Sequence, residues 1–254
     1  MRQDLPQAQY GASAATTREA AGGAVYVAPD PEPEGARIWF FTRRGGVSRE
    51  PYESLNVSKM VGDDPATVEQ NLALIREAMD GRPSAWVRQV HADGVARVTE
   101  AGFAGEADSL LTAETGLSVV VAVADCVPVA LVGEGGVGMV HSGWRGTLSG
   151  VAAKTARGMG EELVRAYIGP CIRSCCYEVS EDLAVDFARR FGPGVVSGRY
   201  LTLPAAIRLD LEGAGVEVHD LGLCTGCRPD LFYSHRKQGP LTGRNLAAVA
   251  RLAS

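Results

Sequence analysis

Two short apolar runs, VALV (129–132) and VGMV (137–140), flank the four residues GEGG. Each run is too short for a buried helix, and a glycine-rich break between β-branched runs is a turn signal, so the segment reads as a β-hairpin. If Val132 pairs with Val137, the same register brings His141 opposite Pro128. Cys126 lies two residues beyond Pro128, and a two-residue step keeps a side chain on one face. Cys126 and His141 are therefore predicted to be diagonal neighbours with Cα atoms about 7–8 Å apart. Pro128 has no N–H for a ladder, which predicts an edge or bulged position for its strand.

The rest of the chain sets the context for that hairpin. With 254 residues, 46% hydrophobic and 22% charged, there is enough apolar material for a large core. A net charge of -5 and a pI near 5.5 argue against nucleic-acid and anionic-membrane partners, which are held by clustered Lys and Arg. No apolar run reaches the length of a membrane span and the chain start has no signal-peptide core, so a cytoplasmic protein is expected. In that reducing setting the six cysteines are expected to be thiols or metal ligands rather than disulfides.

Residues 1–36 are rich in Ala, Gly, Pro and acidic residues and read as a flexible tail, leaving 37–254 as a single domain. In GDDPATVEQNLALIREAMDG, Asp64 is predicted to cap a helix, with Val68, Leu72, Ile75 and Met79 forming its apolar face. Ser180 is predicted to cap a second helix, EDLAVDFARRF. Strands are predicted at RIWFFT, AWVRQV, LSVVVAVA, AYIG and VEVHDL as well as in the hairpin, which gives an α/β class with a mixed, partly antiparallel sheet.

The AWVRQV strand leads into His91, a third soft ligand, beside Gln89 and Asp93. Two imidazoles and a thiolate (His91, Cys126, His141) leave a fourth position open, which is the arrangement of catalytic rather than structural zinc. Their spacing carries no local chelate signature such as HExxH. The remaining cysteines offer a competing four-thiolate site: Cys224 and Cys227 in LCTGCRPD, and Cys171, Cys175 and Cys176 in GPCIRSCCYEV. The HxE and PCxxC signature of zinc base deaminases is absent. Three stretches, TRRGGVS, HSGWRGT and LTGRN, pair arginine with glycine and favour an anionic ligand such as phosphate, whereas no P-loop or strand-linked GxGxxG appears.

FTRRGGVSREPYESLNVS, VRQVHADGV, ADSLLT, ADCVPVALVGEGGVGMVHSGWRGT, YIGPCIRSCCYEVS and CTGCRPDLFYSHRKQGPLTGR together resemble, in order, the motifs of the polyphenol oxidase or laccase-domain family of purine nucleoside phosphorylases. The resemblance runs from about residue 37 to the C-terminus. It implies a layered α/β sandwich similar to the catalytic domain of cytotoxic necrotizing factor toxins. It also implies a zinc site on His91, Cys126 and His141, with substrate contacts from Arg43, Asn56, Gln89, Arg145 and Arg236. The implied activities are phosphorolysis of adenosine, inosine and methylthioadenosine, with adenosine deamination, so the expected partners are purine nucleosides and phosphate. Val123, Ser142 and Gln238 stand where the family often has threonine, alanine and an acidic residue, which bears on substrate preference.

Two other chemistries fit the same residues. Cys126 as nucleophile with His141 as base would make a metal-free hydrolase. Two histidines and a cysteine, with Met139 as axial ligand, would make a copper centre. The chain's four histidines fall short of the roughly ten soft ligands that coupled copper clusters consume. A metal-stabilised interaction module is the non-enzymatic reading, and it predicts no turnover.

Overall fold

Ile38 and Phe40 pack into one apolar core while their neighbours Trp39 and Phe41 pack into another. Alternation of this kind follows from the two-residue period of a strand, and it means that both faces of the strand are covered. The computed structural model that shows this describes residues 12–160 and 164–253.

The first sheet is formed by β1 (Ala15–Glu19), β2 (Val25–Pro29), β3 (Ala36–Phe41), β4 (Ser84–Arg88), β6 (Gly102–Glu106), β8 (Ser118–Val123) and β15 (Asn245–Arg251). Its order is β1-β2-β3-β15-β8-β4-β6, antiparallel as far as β8 and parallel beyond it. The second sheet is formed by β5 (Val95–Arg97), β7 (Ser109–Thr112), β9 (Val127–Val132), β10 (Val137–Ser142), β11 (Arg165–Ile168) and β14 (Glu217–Asp220), in the order β14-β11-β9-β10-β7-β5. A small hairpin joins β12 (Val196–Ser197) to β13 (Tyr200–Leu201).

The two sheets face each other across a core built from Ile38, Phe40, Val119, Val121 and Val249 on one side and Ala130, Val132, Val137 and Met139 on the other. Helix α1 (Pro65–Ala78) covers the outer face of the first sheet, where Ile75 meets Trp39 and Phe41. The second sheet is covered by α3 (Val151–Met159), which follows the short α2 (Trp144–Ser149), and by α4 (Glu181–Phe191) and α5 (Leu203–Glu212). A last helical turn, α6, spans His235–Gln238. The result is a four-layer α/β sandwich with two mixed sheets, in agreement with the class read from the sequence.

Asp64 caps α1 by accepting the Thr67 N–H at 2.9 Å, and Ser180 caps α4 by accepting the Leu183 N–H at 3.3 Å, as their positions predict. The hairpin register is also as derived, with Val137 opposite Val132 and His141 opposite Pro128. Two expectations need correction. Residues 15–29, assigned to a flexible tail, form β1 and β2, because Val27 and Ala28 bury against the first sheet although the surrounding composition is polar. Residues 1–11 of that expected tail lie outside the described residues. The strand carrying Pro128 is not at an edge, since β9 lies between β10 and β11. Proline is tolerated because the β9–β11 ladder ends at Val129 and Ile168, and beyond it the Gly169 N–H donates to the Pro128 carbonyl at 2.9 Å.

Candidate metal centre and adjoining cleft

The hairpin register brings His141 to the last turn of the β10 ladder, and the β7–β10 register continues the pattern by placing Asp108 beside it. The His141 N–H donates to the Asp108 carbonyl at 2.7 Å, and His141 Nδ1 lies 2.9 Å from Asp108 Oδ1. Asp108 is fully buried, and its carboxylate also accepts backbone N–H groups from Val90, His91 and Ala92. One carboxylate thus orients the His141 ring and holds the turn that carries His91. His91 takes a left-handed backbone at φ 58°, uncommon for a residue with a Cβ. The three N–H donors converging on Asp108 stabilise that conformation.

Cys126 sits immediately before β9, and one ligand atom each of His91, Cys126 and His141 lies within 4.8 Å of the other two. The His91 and His141 rings meet edge to face with centroids 4.9 Å apart. Gly143 supports this packing, because a Cβ there would stand 3.0 Å from Cys126 Sγ and 3.4 Å from His91 Cδ2. The donor set fits a metal ion. With Nδ1 of His141 engaged by Asp108, Nε2 is the nitrogen left for a ligand role, and a carboxylate behind a ligating imidazole is the usual supporting arrangement.

The same proximity shifts three ionisations in the metal-free chain. Burial alone would push the Cys126 thiol up, but the His141 charge and hydrogen bonds from both imidazoles outweigh it and bring the thiol down to about 6. Burial alone would push His141 down, but the Cys126 thiolate and the Asp108 hydrogen bond raise it to about 9. Asp108 is held below its ordinary value because the His141 and backbone hydrogen bonds outweigh its burial.

An open cleft of about 500 Å³ adjoins the centre, lined by Trp144, Tyr177, Glu178, Ser180, Leu183 and Arg236 among others. Trp144 follows Gly143 directly, and the Tyr177 phenol is raised to about 12, first by burial and then by the Cys126 charge. Arg236 lies over the Tyr177 ring at 5.0 Å, and its N–H donates to Asp125 Oδ2 at 2.7 Å. Asp125 also accepts from Thr225 Oγ1 at 2.6 Å, and its carbonyl accepts from the Ile172 N–H at 2.9 Å. Three loops are thereby tied to the residue that precedes Cys126.

Of the side chains expected to meet substrate, Arg236 alone lines this cleft. Arg145 is exposed and lies over the Trp144 ring at 4.3 Å, because it emerges on the first turn of α2 rather than at a strand end. Arg43 stacks on Tyr233 at 4.7 Å and donates to the carbonyls of Glu53 and Pro229. Two of the residues expected to contact substrate make their side-chain hydrogen bonds within the fold. Asn56 is fully buried, donates to Ser58 and Asp63, and accepts from the N–H groups of Ser58 and Arg244, so it braces the loops. Gln89 spends both ends of its amide on the backbone of Ala122, continuing the β4–β8 pairing past Arg88. Asp108, Asp125, Gly143 and Tyr177 were not singled out from the sequence. An acidic residue directly before the apolar run SLLT was the one available signal for Asp108.

No helix among the described residues is long and apolar enough to cross a membrane. A family model described as multi-copper polyphenol oxidoreductase laccase matches residues 37–252. Purine nucleoside phosphorylase YlmD of Geobacillus stearothermophilus is 34% identical over 249 residues, covering 85% of this chain and 90% of its own. A purine nucleoside phosphorylase of Deinococcus radiodurans is 37% identical over 224 residues, covering 83% and 87%. The crystal structure of the Geobacillus YlmD superposes with a TM-score of 0.84 at 30% identity, covering 93% of this chain and 99% of that one. The YfiH protein of Bacillus licheniformis gives 0.82 at 28% identity, with the same coverage.

Proposed function

The chain belongs to the multi-copper polyphenol oxidoreductase laccase family, and on that premise we propose that it is a cytoplasmic, zinc-dependent purine nucleoside phosphorylase. Its substrates on this reading are adenosine, inosine and methylthioadenosine together with phosphate, and adenosine deamination is a side activity. The observation that carries the reading is the meeting of His91, Cys126 and His141 beside a cleft lined by aromatic and arginine side chains.

His91, Cys126 and His141 would hold the zinc ion, which supplies Lewis acidity at an open coordination position. Asp108 keeps the His141 ring turned so that Nε2 faces the ligand position. Trp144 and Tyr177 offer apolar ring faces to a purine, and Tyr177 stays a phenol at neutral pH, so it donates a hydrogen bond without adding negative charge near phosphate. Arg236 gives a planar guanidinium for the phosphate, which attacks the ribose anomeric carbon as the bond to the base breaks. The ligand set favours zinc over multi-copper chemistry. Among the described residues only His91 and His141 join a ligand cluster, while His219 stacks on Tyr167. The deciding experiment is a nucleoside panel, with and without phosphate, on protein of measured metal content. Free base and ribose 1-phosphate formed only with phosphate are expected, and their absence from every nucleoside would overturn the reading.

One observation favours a second reading. Asp108, His141 and Cys126 form a carboxylate, imidazole and thiol series of the kind used by cysteine hydrolases. The thiolate is the reactive form, and it persists above the thiol pKa. Alkylation of Cys126 in metal-free protein should therefore reach half its maximal rate near pH 6, where an ordinary thiol with a pKa of about 8.5 is almost wholly protonated, and stay high toward pH 9. Peptide mass analysis across that pH range measures it. Zinc-loaded protein should protect Cys126 while nucleoside turnover is at its highest. Turnover that instead follows the metal-free thiolate, with a trapped acyl-enzyme, would favour the hydrolase.

A further inference from the structure

The second cluster of soft ligands shares no residue with the His91–Cys126–His141 centre. β11 and β14 are parallel neighbours, so the chain leaves both strands at the same end of the second sheet. Beyond them the ladder continues only as an isolated bridge between Cys171 and Cys224. Each chain then turns tightly. The N–H groups of Cys176 and Tyr177 donate back to the Arg173 carbonyl at 2.8 and 2.9 Å, and the Arg228 N–H donates back to the Cys224 carbonyl at 3.1 Å. The two turns present Cys175 and Cys176 to Cys224 and Cys227.

All four sulfur atoms lie within 4.8 Å of one another. Cys175 Sγ is 3.5 Å from Cys224 Sγ and 3.3 Å from Cys227 Sγ, and Cys176 Sγ is 3.5 Å from Cys227 Sγ. These separations are far beyond the S–S bond of about 2.05 Å. They approach the edge of about 3.8 Å of a sulfur tetrahedron around an ion with zinc–sulfur bonds of about 2.3 Å. The glycine of the CxxC turn shows how closely the two turns fit. A Cβ on Gly226 would stand 2.9 Å from Cys176 Cβ and 3.0 Å from its Sγ. Lys237 Cε lies 3.4 Å from the same point, so an ammonium-bearing side chain sits against the cluster, where four thiolates and a divalent cation would leave net negative charge.

We propose that Cys175, Cys176, Cys224 and Cys227 form a four-thiolate site for a structural zinc ion, separate from the ion of the candidate catalytic centre. Four protein ligands leave no open position, so the ion does no chemistry on substrate. It staples two turns that belong to the cleft. One turn runs into Tyr177 and Glu178, and the other holds Thr225, whose hydroxyl supports Asp125 next to Cys126.

The test uses the full chain, the Cys126→Ser variant and the Cys224→Ser/Cys227→Ser double variant, each purified under reducing conditions and reconstituted with zinc. Two zinc ions per chain are expected for the parent and one for Cys126→Ser. In the Cys126→Ser protein, Cys175, Cys176, Cys224 and Cys227 should resist a disulfide thiol reagent until a chelator is added, and should then react together. This protection is read on protein with the cluster intact, so it stands even if the double variant fails to fold. Cobalt in place of zinc in Cys126→Ser should give the strong charge-transfer absorption of several thiolates on one ion. A Cys126→Ser protein with no bound zinc and freely reactive cluster thiols would overturn the proposal. So would an intact mass four hydrogens low, which would show two disulfides in place of a metal site.

Discussion

The two clusters of soft side chains differ in what stands behind them. His91, Cys126 and His141 mix nitrogen with sulfur, stop at three ligands, and are backed by a buried carboxylate and bordered by a cleft. The other cluster is all sulfur, has four members, and sits on two turns beyond the ends of β11 and β14. Ligand number and supporting groups, rather than the mere presence of cysteine, separate an ion that can act on substrate from one that holds loops together.

The largest expected effect is a swap of phenotypes between the two clusters. Cys126→Ser should lower phosphorolysis by on the order of 10³-fold, since a Lewis-acid metal contributes several kcal/mol to the transition state. Its melting temperature should stay near that of the parent. Cys224→Ser/Cys227→Ser should keep turnover per folded molecule and lose more than about 5 °C of melting temperature, because 1 kcal/mol moves a domain of this size by about 2–4 °C. Turnover assays and thermal unfolding on zinc-loaded proteins check both, and reversed phenotypes would break the comparison.

Asp108→Asn comes next. The substitution keeps the volume and removes the charge that fixes the His141 ring, so zinc affinity or turnover should fall by about 10–100-fold. A competition titration with a chelating dye measures the affinity. A variant that binds zinc as the parent does and turns over normally would mean that Asp108 serves only the His91 turn.

How much of this was readable from residues depends on distance along the chain. The Cys126–His141 relation follows from hairpin register, a local rule, and the structure keeps it residue for residue. The caps at Asp64 and Ser180 were legible for the same reason, since the N–H groups they satisfy lie within one turn. Asp108 was not, because its role depends on β7 lying beside β10, which brings Asp108 to His141 across 33 residues that no local pattern specifies. The β1–β2 hairpin was hidden by its composition, since Val27 and Ala28 are buried by a sheet the segment itself helps to build. Asn56 and Gln89 look like ligand-binding amides in a motif, yet amides in the interior or beside a strand end are often taken up by orphaned backbone groups, as the buried Asn56 and the half-buried Gln89 are here.

The two arginines most readily confused in the sequence give the smallest effects and the sharpest contrast. Arg236 lines the cleft, and the link from its backbone N–H to Asp125 survives any side-chain change. Arg236→Lys keeps a charge but loses the planar fork, so the KM for phosphate should rise by about 10-fold, in line with the roughly 1–3 kcal/mol of a charge-assisted hydrogen bond. Arg145 presents an exposed guanidinium over the Trp144 ring, an arrangement worth about 0.5–1 kcal/mol at an exposed site and one a lysine ammonium can partly replace. Arg145→Lys should therefore shift the phosphate KM by less than about 3-fold, since each 1.36 kcal/mol corresponds to a factor of ten. Steady-state kinetics against phosphate at fixed inosine separates the two. If Arg145→Lys raises the phosphate KM as much as Arg236→Lys, then the Arg145 guanidinium swings into the cleft that Trp144 already lines when substrate binds, and the anion site lies on the α2 side of the metal centre rather than the α6 side.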